Sequence, residues 1–214
     1  MITAMEKKKT EKSPFIYKLA RGICMPLFKL LYRYEITNRN NIPPTGGYVL
    51  TCNHQSYSDP VLVSVGQKRM VYFMAKSELF RNKFFSALIR SLGAFPVHRG
   101  GKGDTGAINN AEMILEEGKV LGIFPEGTRS LSGELLKMRA GAVMIAYQSG
   151  VPVVPACITG KGGRVKLFNK VKITYGDPLT CEQLGIKTGS GKELREATRI
   201  LSEKIAQIRE HDRF

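Results

Sequence analysis

Tyr48-Val49-Leu50-Thr51-Cys52, Asn53-His54-Gln55-Ser56-Tyr57-Ser58 and Asp59-Pro60-Val61-Leu62-Val63-Ser64-Val65 read as a strand, a polar loop and the start of a helix, all within eighteen residues. The strand is an apolar run of the kind that both faces of a sheet bury. Pro60 sits at the first helical position, where its missing N–H costs nothing. The same unit recurs downstream. Val71 to Met74 is a strand, Glu78 to Ser91 a helix, and Ala94 to Val97 a strand. Thr105 to Glu117 is a helix stopped by Gly118, and Val120 to Phe124 is a buried strand. Ala140 to Ser149 is a helix, Val151 to Ile158 and Val171 to Tyr175 are strands, and Lys192 to Ile208 is a strongly periodic terminal helix. Strands separated by helices specify an α/β fold with a mixed, mainly parallel sheet flanked by helices.

The 214 residues suit one domain with an accessory segment. Thirty-three Lys and Arg against eighteen Asp and Glu give a net charge of +15, which favours polyanionic partners, nucleic acid or an anionic membrane surface. Nucleic acid is the weaker fit: there is no Trp, no aromatic-rich RNA-binding strand and no zinc-finger spacing. The four cysteines form no Cys-x-x-Cys pair, so no metal is expected. No apolar run reaches the length of a membrane-spanning helix.

The N-terminus divides from the rest. Residues 1–12 read as a mobile basic tail, 13–34 as amphipathic membrane-associating helices and 35–214 as the α/β domain. At 100° per residue, Lys18, Arg21, Lys29 and Arg33 fall within an arc of about 120°, opposite Ile16, Leu19, Ile23, Leu27, Leu30 and Leu31. Pro26 is expected to split the segment into two helices. A basic stripe beside a wide apolar face fits an interfacial membrane helix. It also fits a helix that packs on the domain and merely solvates its cations.

Candidate chemistry lies at the strand ends, where α/β proteins place their ligands. His54 and Asp59 are five apart and cannot meet within a regular helix. With His54 in the loop and Asp59 at the helix entry, the carboxylate can fix the imidazole and leave its other nitrogen free as a general base. Asp59 as a plain helix cap is the alternative. A second strand end, Phe124-Pro125-Glu126-Gly127-Thr128-Arg129-Ser130, offers close backbone approach at Gly127, the Thr128 and Ser130 hydroxyls, and a planar Arg129 fork suited to phosphate. A third, Phe95-Pro96-Val97-His98-Arg99-Gly100-Gly101, adds Arg99, so two arginines could clamp one phosphate. Gly100-Gly101-Lys102-Gly103 fails as a P-loop, since no Ser or Thr follows Lys102, and no Gly-x-Ser-x-Gly elbow is present.

Taken in order, Asn53-His54 through Asp59-Pro60, Gly93-Ala94-Phe95 through Arg99, Phe124 through Arg129, and Val151-Pro152-Val153-Val154-Pro155 closely resemble the four blocks of the lysophosphatidic acid (1-acylglycerol-3-phosphate) acyltransferase family. The resemblance spans roughly residues 40–180, and its first and third blocks are specific in combination. One departure is Arg139, in Met138-Arg139-Ala140-Gly141-Ala142, where members often carry Lys.

The resemblance implies an enzyme that esterifies the free sn-2 hydroxyl of 1-acylglycerol 3-phosphate, giving phosphatidic acid for phospholipid synthesis. Acylation of glycerol 3-phosphate or another lysophospholipid is the alternative. It implies His54 as base and Asp59 as its orienting partner. Arg99, Glu126, Gly127, Thr128 and Arg129 would form the site for the glycerol phosphate, with Glu126 holding Arg129 or the loop. No metal or cofactor is expected, only an acyl thioester of coenzyme A or acyl carrier protein as co-substrate. The expected place is the cytoplasmic face of a membrane, peripheral or monotopic.

Overall fold

The computed structural model describes residues 14–97 and 105–214. Seven strands among them form one sheet in the order β1-β7-β6-β2-β5-β3-β4. They are β1 (Tyr34–Thr37), β2 (Tyr48–Cys52), β3 (Val71–Lys76), β4 (Ala94–Val97), β5 (Val120–Ile123), β6 (Val153–Gly160) and β7 (Val171–Tyr175). All neighbouring pairs run parallel except β6 and β7, so the sheet is mixed and mainly parallel, as expected.

Helices α1 (Pro14–Tyr32), α2 (Asp59–Val65), α3 (Lys83–Ser91), α4 (Thr105–Glu116), α5 (Gly141–Gln148) and α6 (Gly191–His211) complete the layers. Alternate residues of the central strands feed two cores. Tyr48, Leu50, Phe73 and Ile158 pack with α1 and α2 on one face. Val49, Leu121, Val153 and Cys157 pack with α4, α5 and α6 on the other. Strand β2, buried along its whole length, is the middle of the sheet, and its carboxyl end opens beside that of β5.

The structure departs from the sequence expectation in three places. The expected helix over 78–91 is a 3₁₀ turn at Ser77–Phe80 followed by α3, separated where the Asn82 side chain caps α3 by accepting from Phe85 N. Strand β1 was not expected: it is four residues long, follows α1 directly and pairs only with β7. The N-terminal segment is one helix, not two. Pro26 lies inside it, and the carbonyl its ring must clear belongs to Gly22, whose backbone can yield.

Helix α1 packs through Met25, Phe28, Leu31 and Tyr32. Leu19, Ile23, Leu27 and Leu30 of the same helix are exposed, with Leu30 at 71%. The apolar face is therefore not consumed by the domain. Lys29 turns back to donate to Tyr34 O at 2.6 Å, and Arg21 Nε reaches Met25 S at 3.2 Å. The basic tail, residues 1–12, lies outside the described residues.

Gly122 in β5 shows how tightly the sheet supports what lies above it. A Cβ there would meet the Phe73 ring and come within 2.8 Å of Val71 Cγ1. Gly122→Ala is therefore expected to destabilise the fold by about 1–3 kcal/mol through overpacking, read as a lowered midpoint in urea. An unchanged midpoint would show that the Phe73 ring has room to move.

Candidate active site

At the end of β2 the chain stays in register for one residue more. The buried Asn53 carboxamide donates to Ile158 O at 3.0 Å and accepts from Ile158 N at 2.8 Å, so a side chain continues the ladder to β6 where the backbone turns away. The loop that follows wraps around one carboxylate oxygen. Asp59 Oδ2 accepts from Gln55 N at 2.6 Å, Ser56 N at 2.7 Å and His54 Nδ1 at 2.9 Å, while Asp59 itself is fully buried. A carboxylate removed from water needs such donors, and each bond is strengthened by the charge. A carboxylate at Nδ1 calls for the proton there, and in that tautomer the lone pair falls to Nε2. The expected pairing of His54 and Asp59 is thus present.

The loop after β5 clamps His54 from its other sides. Glu126 Oε1 accepts from His54 N at 3.2 Å, and Ser130 N donates to His54 O at 2.7 Å. The imidazole stacks on Phe124 with centroids 4.2 Å apart, and Phe124 stacks on Phe73 at 5.7 Å. Backbone, ring plane and Nδ1 are each held by a different group. Positioning of this kind is what general-base catalysis requires.

His54 opens into a cavity of about 690 Å³ between α1, α2, α3 and the ends of β3 and β4. Its walls are mostly apolar, with Met25, Val61, Phe73, Phe85 and Ile89 among them, and Thr128 and Arg129 stand at the His54 end. The Arg129 guanidinium lies 3.5 Å above the ring of the exposed Tyr57, a cation–π contact that keeps its planar fork presented at the rim. Gly127 has φ +72°, and a Cβ there would stand 3.3 Å from Arg139 Nε. The absent side chain lets the Arg139 guanidinium lie against the loop, which puts a cation beside Arg129's loop at the position where the family pattern has Lys.

Glu126 does not face the cavity. It is 3% exposed and turned inward onto His54 N and the backbone of Leu136, so it holds the loop and not the substrate or Arg129. Burial pushes its carboxyl up to about 7. Arg99 and His98 lie outside the described residues. Among the described residues no cluster of three or more His, Cys, Asp or Glu is placed to hold a metal.

Two residues of the site escape sequence reasoning. Asn53 reads as a loop residue because its side chain takes a backbone part. Gln55 donates to Gly133 O at 3.2 Å and accepts from Val165 N at 3.1 Å, tying three loops together across 110 residues. Nothing local signals either role, although their position inside the His54–Asp59 block marks them for attention.

Residues 33–159 match the family model described as Acyltransferase. The 1-acyl-sn-glycerol-3-phosphate acyltransferase of Bacillus subtilis is 31% identical over 196 residues, which span 90% of this chain and 96% of that protein. The enzyme of the same name from Streptococcus pneumoniae is 28% identical over 202 residues, 92% of this chain and 75% of that one. Among solved structures, the 1-acyl-sn-glycerophosphate (LPA) acyltransferase PlsC from Thermotoga maritima superposes with a TM-score of 0.69 at 27% identity, covering 92% of this chain and 78% of that one.

Glu126 gives the site a pH signature. Its folded carboxyl is raised from 4.5 to about 7, so the folded state holds a proton that the unfolded chain releases. That contribution to stability is complete below pH 4.5 and is lost as pH rises to about 7. Relative to Glu126→Gln, the wild type should therefore lose Tm across this window in thermal melts. A constant difference between the two proteins at all pH values would contradict the inward, desolvated carboxyl.

Proposed function

The chain belongs to the acyltransferase family, and we propose that it transfers a fatty acyl group from a thioester to the free sn-2 hydroxyl of 1-acylglycerol 3-phosphate, yielding phosphatidic acid. The observation that carries this reading is His54, its Nδ1 bonded to Asp59 at 2.9 Å, in the wall of an apolar cavity. A base beside an apolar cavity suits an alcohol and an acyl chain brought together in one place.

The acceptor hydroxyl gives its proton to His54 Nε2 as its oxygen attacks the thioester carbonyl. A tetrahedral oxyanion forms and collapses, the carbon–sulfur bond breaks, and the leaving thiolate takes the proton back from the imidazolium. Asp59 remains ionised throughout and stabilises the cation it faces. No acyl-enzyme, metal or cofactor enters this scheme. General-base catalysis supplies about 10²–10⁴-fold, and much of the remainder comes from holding hydroxyl, imidazole and carbonyl in line. Arg129 presents a planar cation at the rim suited to the acceptor's phosphate, and Arg139 lies beside its loop. Arg99 is proposed to add to them. The donor is an acyl thioester, of coenzyme A or of acyl carrier protein; both are polyanionic and suit a chain of net charge +15.

The acceptor resides in a bilayer, so the cavity must open toward lipid. No helix among the described residues is long and apolar enough to cross a membrane. We propose that α1 lies in the interface instead, on the cytoplasmic side where thioester donors are available. Its exposed Leu19, Ile23, Leu27 and Leu30 would enter the acyl boundary, while Lys18 and Arg33 would meet anionic headgroups.

The reaction is tested with purified protein, lysophosphatidic acid and an acyl thioester, the product being identified by mass spectrometry. Phosphatidic acid is the expected product, and His54→Ala should lower kcat by at least about 10²-fold while the fold persists. Near-full activity in a folded His54→Ala protein would sink the mechanism.

A further inference from the structure

The β6–β7 connection, residues 161–170, carries Lys161, Arg164, Lys166 and Lys170 around Leu167 and Phe168. From Gly160 to Gly176 the chain contains five cations and no carboxylate. All four loop cations are exposed, and none is among the ion pairs of the described residues. Leu167 and Phe168 are 56% and 63% exposed at its tip. Two adjacent large apolar side chains left in water at the crown of a basic loop need an explanation.

The loop is built, not slack. Lys161 N donates to Lys170 O at 2.9 Å across its base, and Asn169 N donates to Lys166 O at 3.3 Å. Phe168 has φ +64°, a left-handed conformation that a bulky residue seldom takes. In that conformation its N–H donates to Leu31 O at 2.5 Å, satisfying a carbonyl in the last turn of α1. The tip is therefore fastened to the end of the helix that exposes Leu27 and Leu30. One backbone hydrogen bond thus ties the apolar tip to the last turn of that helix.

We propose that residues 161–170 form a second membrane-contacting element, in which Leu167 and Phe168 insert into the acyl boundary of an anionic bilayer while the four cations neutralise its headgroups. The pattern of apolar centre and cationic surround matches the layered chemistry of such a surface, apolar within and anionic at the rim. The hydrogen bond to Leu31 makes α1 and the loop two points of one footing. Two points set the tilt of the domain on the membrane, and so the direction in which the cavity opens. The proposal rests on the interfacial reading of α1, and its test separates the two.

The chain contains no Trp, so Phe168→Trp introduces a single indole reporter into the full-length protein. It is mixed with phosphatidylcholine vesicles containing phosphatidylglycerol and brominated lipid, and sedimentation is measured in parallel. Burial in the bilayer predicts a blue shift and quenching by bromolipid, whereas Met113→Trp, an exposed site on α4 across the sheet, should show neither. Leu167→Ser with Phe168→Ser should weaken vesicle binding by about 10-fold. Lys166→Gln and Lys170→Gln should each weaken it by about 5-fold at low salt. All four substitutions should leave acyl transfer to detergent-dispersed acceptor unchanged. A protein that sediments while its indole stays in water overturns the loop and spares α1. Failure to sediment at all overturns both. A blue shift produced by acyl carrier protein and not by vesicles would overturn the bilayer as occupant.

Discussion

One carboxylate oxygen organises the loop after β2. Asp59 Oδ2 receives the imidazole N–H of His54 and the backbone N–H groups of Gln55 and Ser56. Without it, two backbone donors and a ring would lose their shared partner, at a cost of up to about 1–3 kcal/mol for each group left orphaned. The same atom therefore shapes the loop and selects the imidazole tautomer, and folding and chemistry cannot be separated here. The loop after β5 completes the clamp through Glu126, Ser130 and Phe124. Its inward carboxyl and stacked ring serve His54, while its outward Arg129 serves whatever enters the cavity.

The cavity is continuous with this arrangement. Phe73 and Phe124 both support the imidazole and line the space in front of it, so packing that orients the base also defines the apolar wall. Helices α1 and α3 close the remaining sides and are themselves partly apolar toward solvent: Leu27 and Leu30 on α1 and Phe84, at 90% exposure, on α3. The helices that wall the cavity thus keep apolar surface exposed.

Much of this was legible in the residues. The strand–loop–helix of 48–65 placed His54 at a strand end and Asp59 at a helix entry, and the structure puts them at hydrogen-bond distance. The alternation of strands and helices was equally clear because buried parallel strands are continuous apolar runs. What stayed hidden depended on tertiary partners. β1 is four residues whose only sheet neighbour is β7, more than 130 residues away. Glu126 was expected to hold Arg129 or the loop, and only the fold shows which: it is bonded to the backbone N–H of His54 and shielded from water. The single α1 across Pro26 depends on Gly22 beneath the ring, a detail of helical geometry that composition obscures.

Everything proposed for the site requires that Asp59 hold His54 with its proton on Nδ1. The chain contains only three histidines, so a long-range ¹H–¹⁵N correlation spectrum of histidine-labelled protein, recorded above the imidazole's titration, can resolve each ring. In the wild type His54 should be the Nδ1–H tautomer, with Nε2 showing the shift of an unprotonated nitrogen, and Asp59→Ala should abolish this preference. A wild-type His54 protonated on Nε2 would contradict it, because the nitrogen facing the cavity could then accept no proton.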